Sequence, residues 1–144
     1  MPRSTSAPRW THETSTDVAA TPARVWQVWS DVAHWPRWNA GVARATLHGP
    51  FASVSTFEMQ LSGGGPLLLS RLLEVQPNER FTDETAFEGV VVRVTHAIAP
   101  RAAGGVRVRY RTEVEGSGAA DIGAGVSADF PQVLKSLKSA AEEP

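Results

Sequence analysis

Four of the chain's five tryptophans, Trp26, Trp29, Trp35 and Trp38, fall within thirteen positions of the run from Thr21 to Asn39. That much aromatic surface on one short segment has to be buried against something large. Thr21 can cap a helix by accepting from an early backbone N–H, and Pro22 suits the first helical position, where its missing N–H costs nothing. Val25, Trp26, Val28, Trp29 and Val32 then recur at helical spacing, and Trp35 and Trp38 continue the apolar face beyond a break expected before Pro36. The segment reads as a bent helical pair laid against an apolar sheet or core.

The partner surface follows from the alternation in Val106-Arg-Val-Arg-Tyr-Arg-Thr-Glu-Val-Glu115. Val106, Val108, Tyr110, Thr112 and Val114 share one face of this strand, and the charged residues between them take the other. Further strands are expected over 10–19, 42–48, 53–61, 67–75, 80–87 and 90–99. Turns are expected at Gly49-Pro50, Gly63 to Pro66, Pro77-Asn78, Gly89 and Pro100 to Gly105. Seven strands result, most of them joined to their neighbours and therefore antiparallel. From Ala119 to Glu142 helical spacing returns, with Ile122, Val126, Phe130, Val133, Leu134, Leu137 and Ala141 on one stripe. Pro131 removes a backbone hydrogen bond inside this helix, while Gly123 and Gly125 weaken its first half, so a kink or loosened turn is expected there. That weakened half is a candidate gate for a ligand.

The 144 residues suffice for one domain over 10–144, preceded by a polar, proline-bearing tail over 1–9 that lacks the apolar run of a signal peptide. No cysteine is present, which excludes disulfides, thiolate metal sites and cysteine nucleophiles and is compatible with a cytoplasmic location. A formal net charge of −1, with both signs mixed along the chain, leaves no footprint for nucleic acid or an anionic membrane. No segment reaches the roughly 20 apolar residues of a bilayer span. A soluble monomer or homodimer is expected.

The run Ala20-Thr-Pro-Ala-Arg-Val-Trp26, followed by Ser30-Asp31 and Trp35-Pro-Arg-Trp38, resembles the opening of the START-like (SRPBCC) superfamily, in particular its polyketide cyclase/dehydrase-like branch. The resemblance continues through Glu74-Val-Gln-Pro77, His96-Ala-Ile-Ala-Pro100, Gly104-Gly-Val-Arg-Val108 and Leu137-Lys138. It implies an α+β helix-grip fold, in which a curved seven-stranded antiparallel sheet surrounds a long C-terminal helix, with two short helices after the first strand. A deep cavity between sheet and helix is implied as well. Lipid and sterol carriers, hormone receptors, aromatase/cyclases and hydroxylase subunits share that cavity, so the fold leaves the chemistry open. Pro131 departs from the pattern, since the long helix of such proteins usually has no internal proline.

Strand alternation identifies candidate lining residues. Tyr110 and Thr112 follow Val108 and Val114 inward; His96 follows Val92, Val94 and Ile98; Phe57 and Met59 lie with Leu61. Phe81 and Phe87 inward bring Asp83 with them. Over 67–75, Leu69, Leu73 and Val75 inward carry Arg71, whereas the opposite register buries Glu74, the costlier choice. His96, Tyr110 and Arg71 are the candidate catalytic groups. Trp35, Trp38, Phe57, Met59, Leu69, Asp83, Phe87, Val94, Thr112, Val126 and Phe130 are the candidate ligand contacts, with His12 a further polar candidate. Each also has a plain structural reading: His96 as a lining residue, Arg71 with Asp83 as a buried ion pair, Tyr110 as a tethered core tyrosine, and Trp26 and Trp29 as packing.

His12, His34, His48 and His96 show no metal-ligand spacing, and neither a nucleophile elbow nor a phosphate-binding glycine loop occurs, so no metal or cofactor is expected. Asp83 and Glu84 are adjacent on a strand, point to opposite faces, and cannot act together on one substrate. Three functions remain: binding of a small, largely apolar molecule; a cyclase/dehydratase-type enzyme using the same cavity; and a protein-interaction module, for which Leu68 and Leu72, expected on the outer face, are the hint.

Overall fold

The structure, a computed structural model, describes residues 8–143. The chain runs β1 (Arg9–Val18), α1 (Pro22–Ser30), a 3-10 helix (Val32–Arg37), β2 (Val42–His48), β3 (Thr56–Leu61), β4 (Leu67–Gln76), β5 (Arg80–Phe87), β6 (Val90–Pro100), β7 (Val106–Glu115), α2 (Ala119–Ser127) and α3 (Phe130–Glu142). The tail expected over 1–9 lies mostly outside the described residues, and Arg9 belongs to β1, opposite Glu115. The seven strands form one antiparallel sheet in the order β1-β7-β6-β5-β4-β3-β2. Only β1 pairs away from its chain neighbour, because α1 and the 3-10 helix carry the chain across the sheet before β2 begins. Strand β3 starts later than expected: Val54 has a φ of 69°, a left-handed conformation that a β-branched residue in a strand does not adopt.

Each helix is placed by contacts legible in its own residues. Thr21 accepts from the Arg24 amide at 3.1 Å, and Pro22 stands in the first turn of α1. The Arg24 guanidinium then reaches the last turn of α3, donating to the Ala140 and Ala141 carbonyls at 3.1 and 3.3 Å. These are carbonyls a helix C-terminus leaves without intrahelical donors, and a cation also suits that end of the dipole. The α1 face thus docks Val25 and Trp29, both buried, over the sheet while Arg24 ties down α3.

The expected C-terminal helix is divided at Asp129, two residues ahead of Pro131. Ala128 remains helical, Asp129 turns to φ −95° and ψ 0°, and Pro131 sits in the first turn of α3, where proline is tolerated. Gly123 in α2 is explained by contact: a Cβ built there would run into the Trp10 indole of β1. Only glycine lets α2 lie this close to the sheet.

Strand β4 corrects the expected register. A bulge between Leu72 and Glu74 places one extra residue, Leu73, against β5. Ahead of it Ser70 and Leu72 face inward; behind it Val75 packs on the core opposite Phe81. Both registers weighed from the sequence assumed unbroken alternation. The bulge keeps Arg71 and Glu74 outside together, where they pair with Glu84 at 3.8 Å and Arg80 at 3.0 Å.

The outer face of the sheet is a lattice of such pairs, including Arg93 with Glu84 at 2.9 Å and Arg111 with Glu13 at 2.8 Å. Exposed pairs of this kind contribute little each, ~0–1 kcal/mol. The inner face supplies the core. Around Val25, Trp29, Phe57, Phe81, Val108 and Leu137 it forms one large cluster, and Val90, Val92, Val94 and Val114 form a second beneath Ala119 of α2. The candidate site lies where these two clusters fail to close on each other.

Candidate functional site

Between the inner face of the sheet and the α2–α3 break lies a cavity of about 500 Å³. Its walls are largely apolar: Trp29, Met59, Phe81, Val92, Val94 and Phe130 are among them. Exposed Pro66, Gly125 and Asp129, which also line it, mark the mouth. Gly125 and Val126 of α2 form part of that wall.

Three polar side chains converge from consecutive strands. The pairing register sets Phe81 opposite His96 and His96 opposite Tyr110, with Asp83 opposite Val94 one pleat along. The His96 ring stacks on Phe81 at 3.9 Å between centroids, and its Nδ1 lies 3.3 Å from the Phe81 carbonyl. Nδ1–H donating to that carbonyl leaves the Nε2 lone pair free. Nε2 stands 3.9 Å from Asp83 Oδ2, too far for a hydrogen bond. Tyr110 accepts from Trp29 Nε1 at 3.2 Å, so its own O–H remains available as a donor. Trp29 in turn accepts at its carbonyl from Trp35 Nε1, at 2.9 Å.

Burial governs the protonation of all three. It lifts the Asp83 carboxyl to about 7, and no hydrogen bond or cation opposes the shift. Burial likewise lowers His96 to about 3, outweighing the hydrogen bonding of its ring to the Phe81 and Val94 backbone. Tyr110 is pushed above its ordinary value by burial, with the Trp29 hydrogen bond only partly offsetting it. Between about pH 3 and 7, Asp83 and His96 therefore face each other as a neutral acid and a neutral base, not as an ion pair.

Of the sequence candidates, His96, Tyr110, Asp83, Trp35, Trp38, Met59, Phe87, Val94, Val126 and Phe130 all line the cavity. Four do not. Arg71 is on the outer face beside Glu84, so the suggested Arg71–Asp83 pair does not form. Leu69 is 61% exposed on the same face. Phe57 points inward but is sealed beneath Trp35, 5.2 Å away edge-on. Thr112 is fully buried between Tyr110 and Val114, near where α2 covers β7, and its Oγ1 has no hydrogen-bond partner. His12 is exposed and stacked on Trp10 at 5.6 Å. Leu68 and Leu72, expected outside, are inside: Leu68 lines the cavity and Leu72 is fully buried.

The sequence reading missed Trp29, assigned to packing, which both packs and lines the cavity, and Asp129 at the helix break. Phe81 was legible as inward from its alternation with Asp83. Nothing in helical spacing marks the indole N–H of Trp29 as the partner of Tyr110.

A curved sheet closed by C-terminal helices over an internal cavity defines a helix-grip protein. The chain belongs to the family described as polyketide cyclase / dehydrase and lipid transport, whose model matches residues 9–142. Among curated proteins none matches it. Among solved structures it is similar to the di-domain aromatase/cyclase BexL from the BE-7585A biosynthetic pathway, with a TM-score of 0.79 at 14% identity. That match covers 94% of this chain and 51% of BexL, so the chain spans about half of that protein. Truncated norcoclaurine synthase from Thalictrum flavum aligns with a TM-score of 0.77 at 14% identity over 99% of both chains. Protein CV1439 from Chromobacterium violaceum aligns with a TM-score of 0.67 at 21% identity over 93% of this chain and 99% of its own. These likenesses establish the fold.

Proposed function

We propose that the protein binds a small, largely apolar molecule in the cavity between the sheet and the C-terminal helices. The observation that carries this reading is the cavity itself, about 500 Å³ left open inside an otherwise packed core. That volume falls within the roughly 300–1,000 Å³ of small-molecule sites, and its mouth at Pro66, Gly125 and Asp129 gives a ligand a way in. Apolar walls with a few converging polar groups are the make-up of a ligand site. The family description, which includes lipid transport, supports the same reading. In this proposal the protein works in the cytoplasm as a monomer or homodimer. No helix among the described residues is long and apolar enough to cross a membrane. The test is fluorescence of the neutral probe N-phenyl-1-naphthylamine, expected to rise on binding and to fall back when Val94→Trp fills the cavity. No enhancement with the wild-type protein would overturn the reading.

A second reading, a cyclase/dehydratase-type enzyme, is favoured by the His96–Asp83–Tyr110 group. A neutral imidazole with a free Nε2 can take a proton, and a protonated carboxyl or the Tyr110 hydroxyl can hydrogen-bond a developing enolate, which is what aldol closure or dehydration requires. Turnover of a polyketone should be lost in His96→Ala with the fold intact, and an unchanged rate would remove His96 from the chemistry. The interaction-module reading rests on other residues than expected: Leu68 and Leu72 are not on the outer face, where Leu67 and Leu69 are exposed instead.

A further inference from the structure

The alternation of the strands sorts charge as well as polarity. Arg71, Arg80, Arg93, Arg107, Arg109 and Arg111 all occupy outward positions of β4 to β7, and no lysine or arginine is among the cavity-lining residues. The ionisable groups that do line it are Asp83, His96 and Tyr110, on β5, β6 and β7 in turn, and Asp129 at the mouth. The Asp83 side chain is only 14% exposed, with no hydrogen bond to it among the described residues and His96 Nε2 3.9 Å away. It is thus a buried carboxyl aimed at open space without a donor from the protein. A carboxylate in that position is stabilised only by a charge or donors arriving from outside.

We propose that the cavity selects ligands whose polar end is a protonated amine, with Asp83 as counter-ion, and rejects carboxylates of the same skeleton. This rests on the cavity-binding reading above. An ammonium placed against Asp83 restores the missing partner in a low-dielectric site, where a charge pair is strong. The aromatic walls, Trp29, Trp35, Phe81 and Tyr110, add ring faces of the kind that attract cations. A ligand carboxylate would meet no cation at all and would place a second negative charge beside Asp83, with Asp129 repelling it at the entrance.

The experiment compares three probes with one apolar body, 2-naphthylmethylamine, 2-naphthalenemethanol and 2-naphthoate, by titration calorimetry on the purified wild-type chain at about pH 8, where the amine is protonated and Asp83 is largely ionised. The amine should bind about tenfold tighter than the alcohol and the naphthoate about tenfold weaker. In Asp83→Asn the ratio of amine to alcohol affinity should fall to about one. Naphthoate binding as tightly as the amine, or an amine preference that survives Asp83→Asn, would overturn the proposal while leaving the cavity reading standing. Failure of all three probes to bind overturns both. The wild-type comparison decides the question even where the variant folds poorly.

Discussion

The indole Nε1 of Trp29 donates to the hydroxyl of Tyr110 at 3.2 Å, joining α1 to β7 inside the core. Trp29 is 1% exposed and Tyr110 3%, so neither group can turn to bulk water if the bond is removed. Tyr110→Phe leaves the indole N–H unpaired, and a cost of about 1–3 kcal/mol is expected. Urea unfolding measures it. A stability change below a few tenths of a kcal/mol would mean that Trp29 finds another acceptor, such as cavity water.

The buried acid and base make opposite contributions to stability as pH changes. His96 stays neutral in the folded chain down to about 3 but titrates at about 6.5 when unfolded, so its contribution falls as pH drops through that interval. Asp83 keeps its proton up to about 7 when folded and releases it near 3.8 when unfolded, so its contribution is full below 3.8 and is lost as pH rises through 7. Between pH 3.8 and 6.5 the two slopes cancel, because unfolding moves one proton from Asp83 to His96. Asp83→Asn removes one side of this balance. Relative to wild type, the variant should lose stability at about 1.4 kcal/mol per pH unit on acidification from about pH 6 to 4. Parallel pH profiles for the two proteins would contradict this.

Gly123 and Gly125, two residues apart in α2, should respond oppositely to alanine. A methyl at Gly123 collides with the Trp10 ring, and displacing that indole should destabilise by about 1–3 kcal/mol. At Gly125 a Cβ meets nothing within 4 Å, and alanine should stabilise by up to about 1 kcal/mol through helix propensity. Thermal unfolding of the two variants side by side would expose an error in the docking of α2 if their order were reversed.

Arg71→Ala checks the register of β4. With the side chain 56% exposed and 3.8 Å from Glu84, its removal should cost less than about 1 kcal/mol and leave probe affinity within about twofold of wild type. A large loss of binding would return Arg71 to the cavity.

The fold was readable wherever one device acted alone. The alternation of Val106 to Glu115 placed Tyr110 inward, that of Phe81 to Phe87 did the same for Asp83, and Thr21-Pro22 located the start of α1. Reading failed in β4, where Leu67 to Gln76 contains no glycine or proline to signal a bulge and three adjacent leucines fit either face. Arg71, Leu68, Leu69 and Leu72 were all misplaced by that one slip. Phe57 and Thr112 show a different limit. Alternation tells which side of a sheet a residue takes, but whether it meets a void or a packed ring depends on where Trp35 and α2 come to rest.

Leu73 gives β4 a reading frame. The strand is written in a two-letter alphabet, inside and outside, and the single extra residue shifts the phase of everything on one side of it. Deleting Leu73 would remove the extra residue and leave one unbroken alternation, with Ser70, Leu72 and Val75 still inside and Arg71 and Glu74 still outside. Inserting one residue between Arg71 and Leu72 while the bulge stays in place would instead set Arg71 opposite Thr85 on the inner face, where Ser70 now lies, and turn a guanidinium toward the cavity. The strand can therefore lose its extra residue without changing the cavity, but it cannot gain a second one ahead of the bulge.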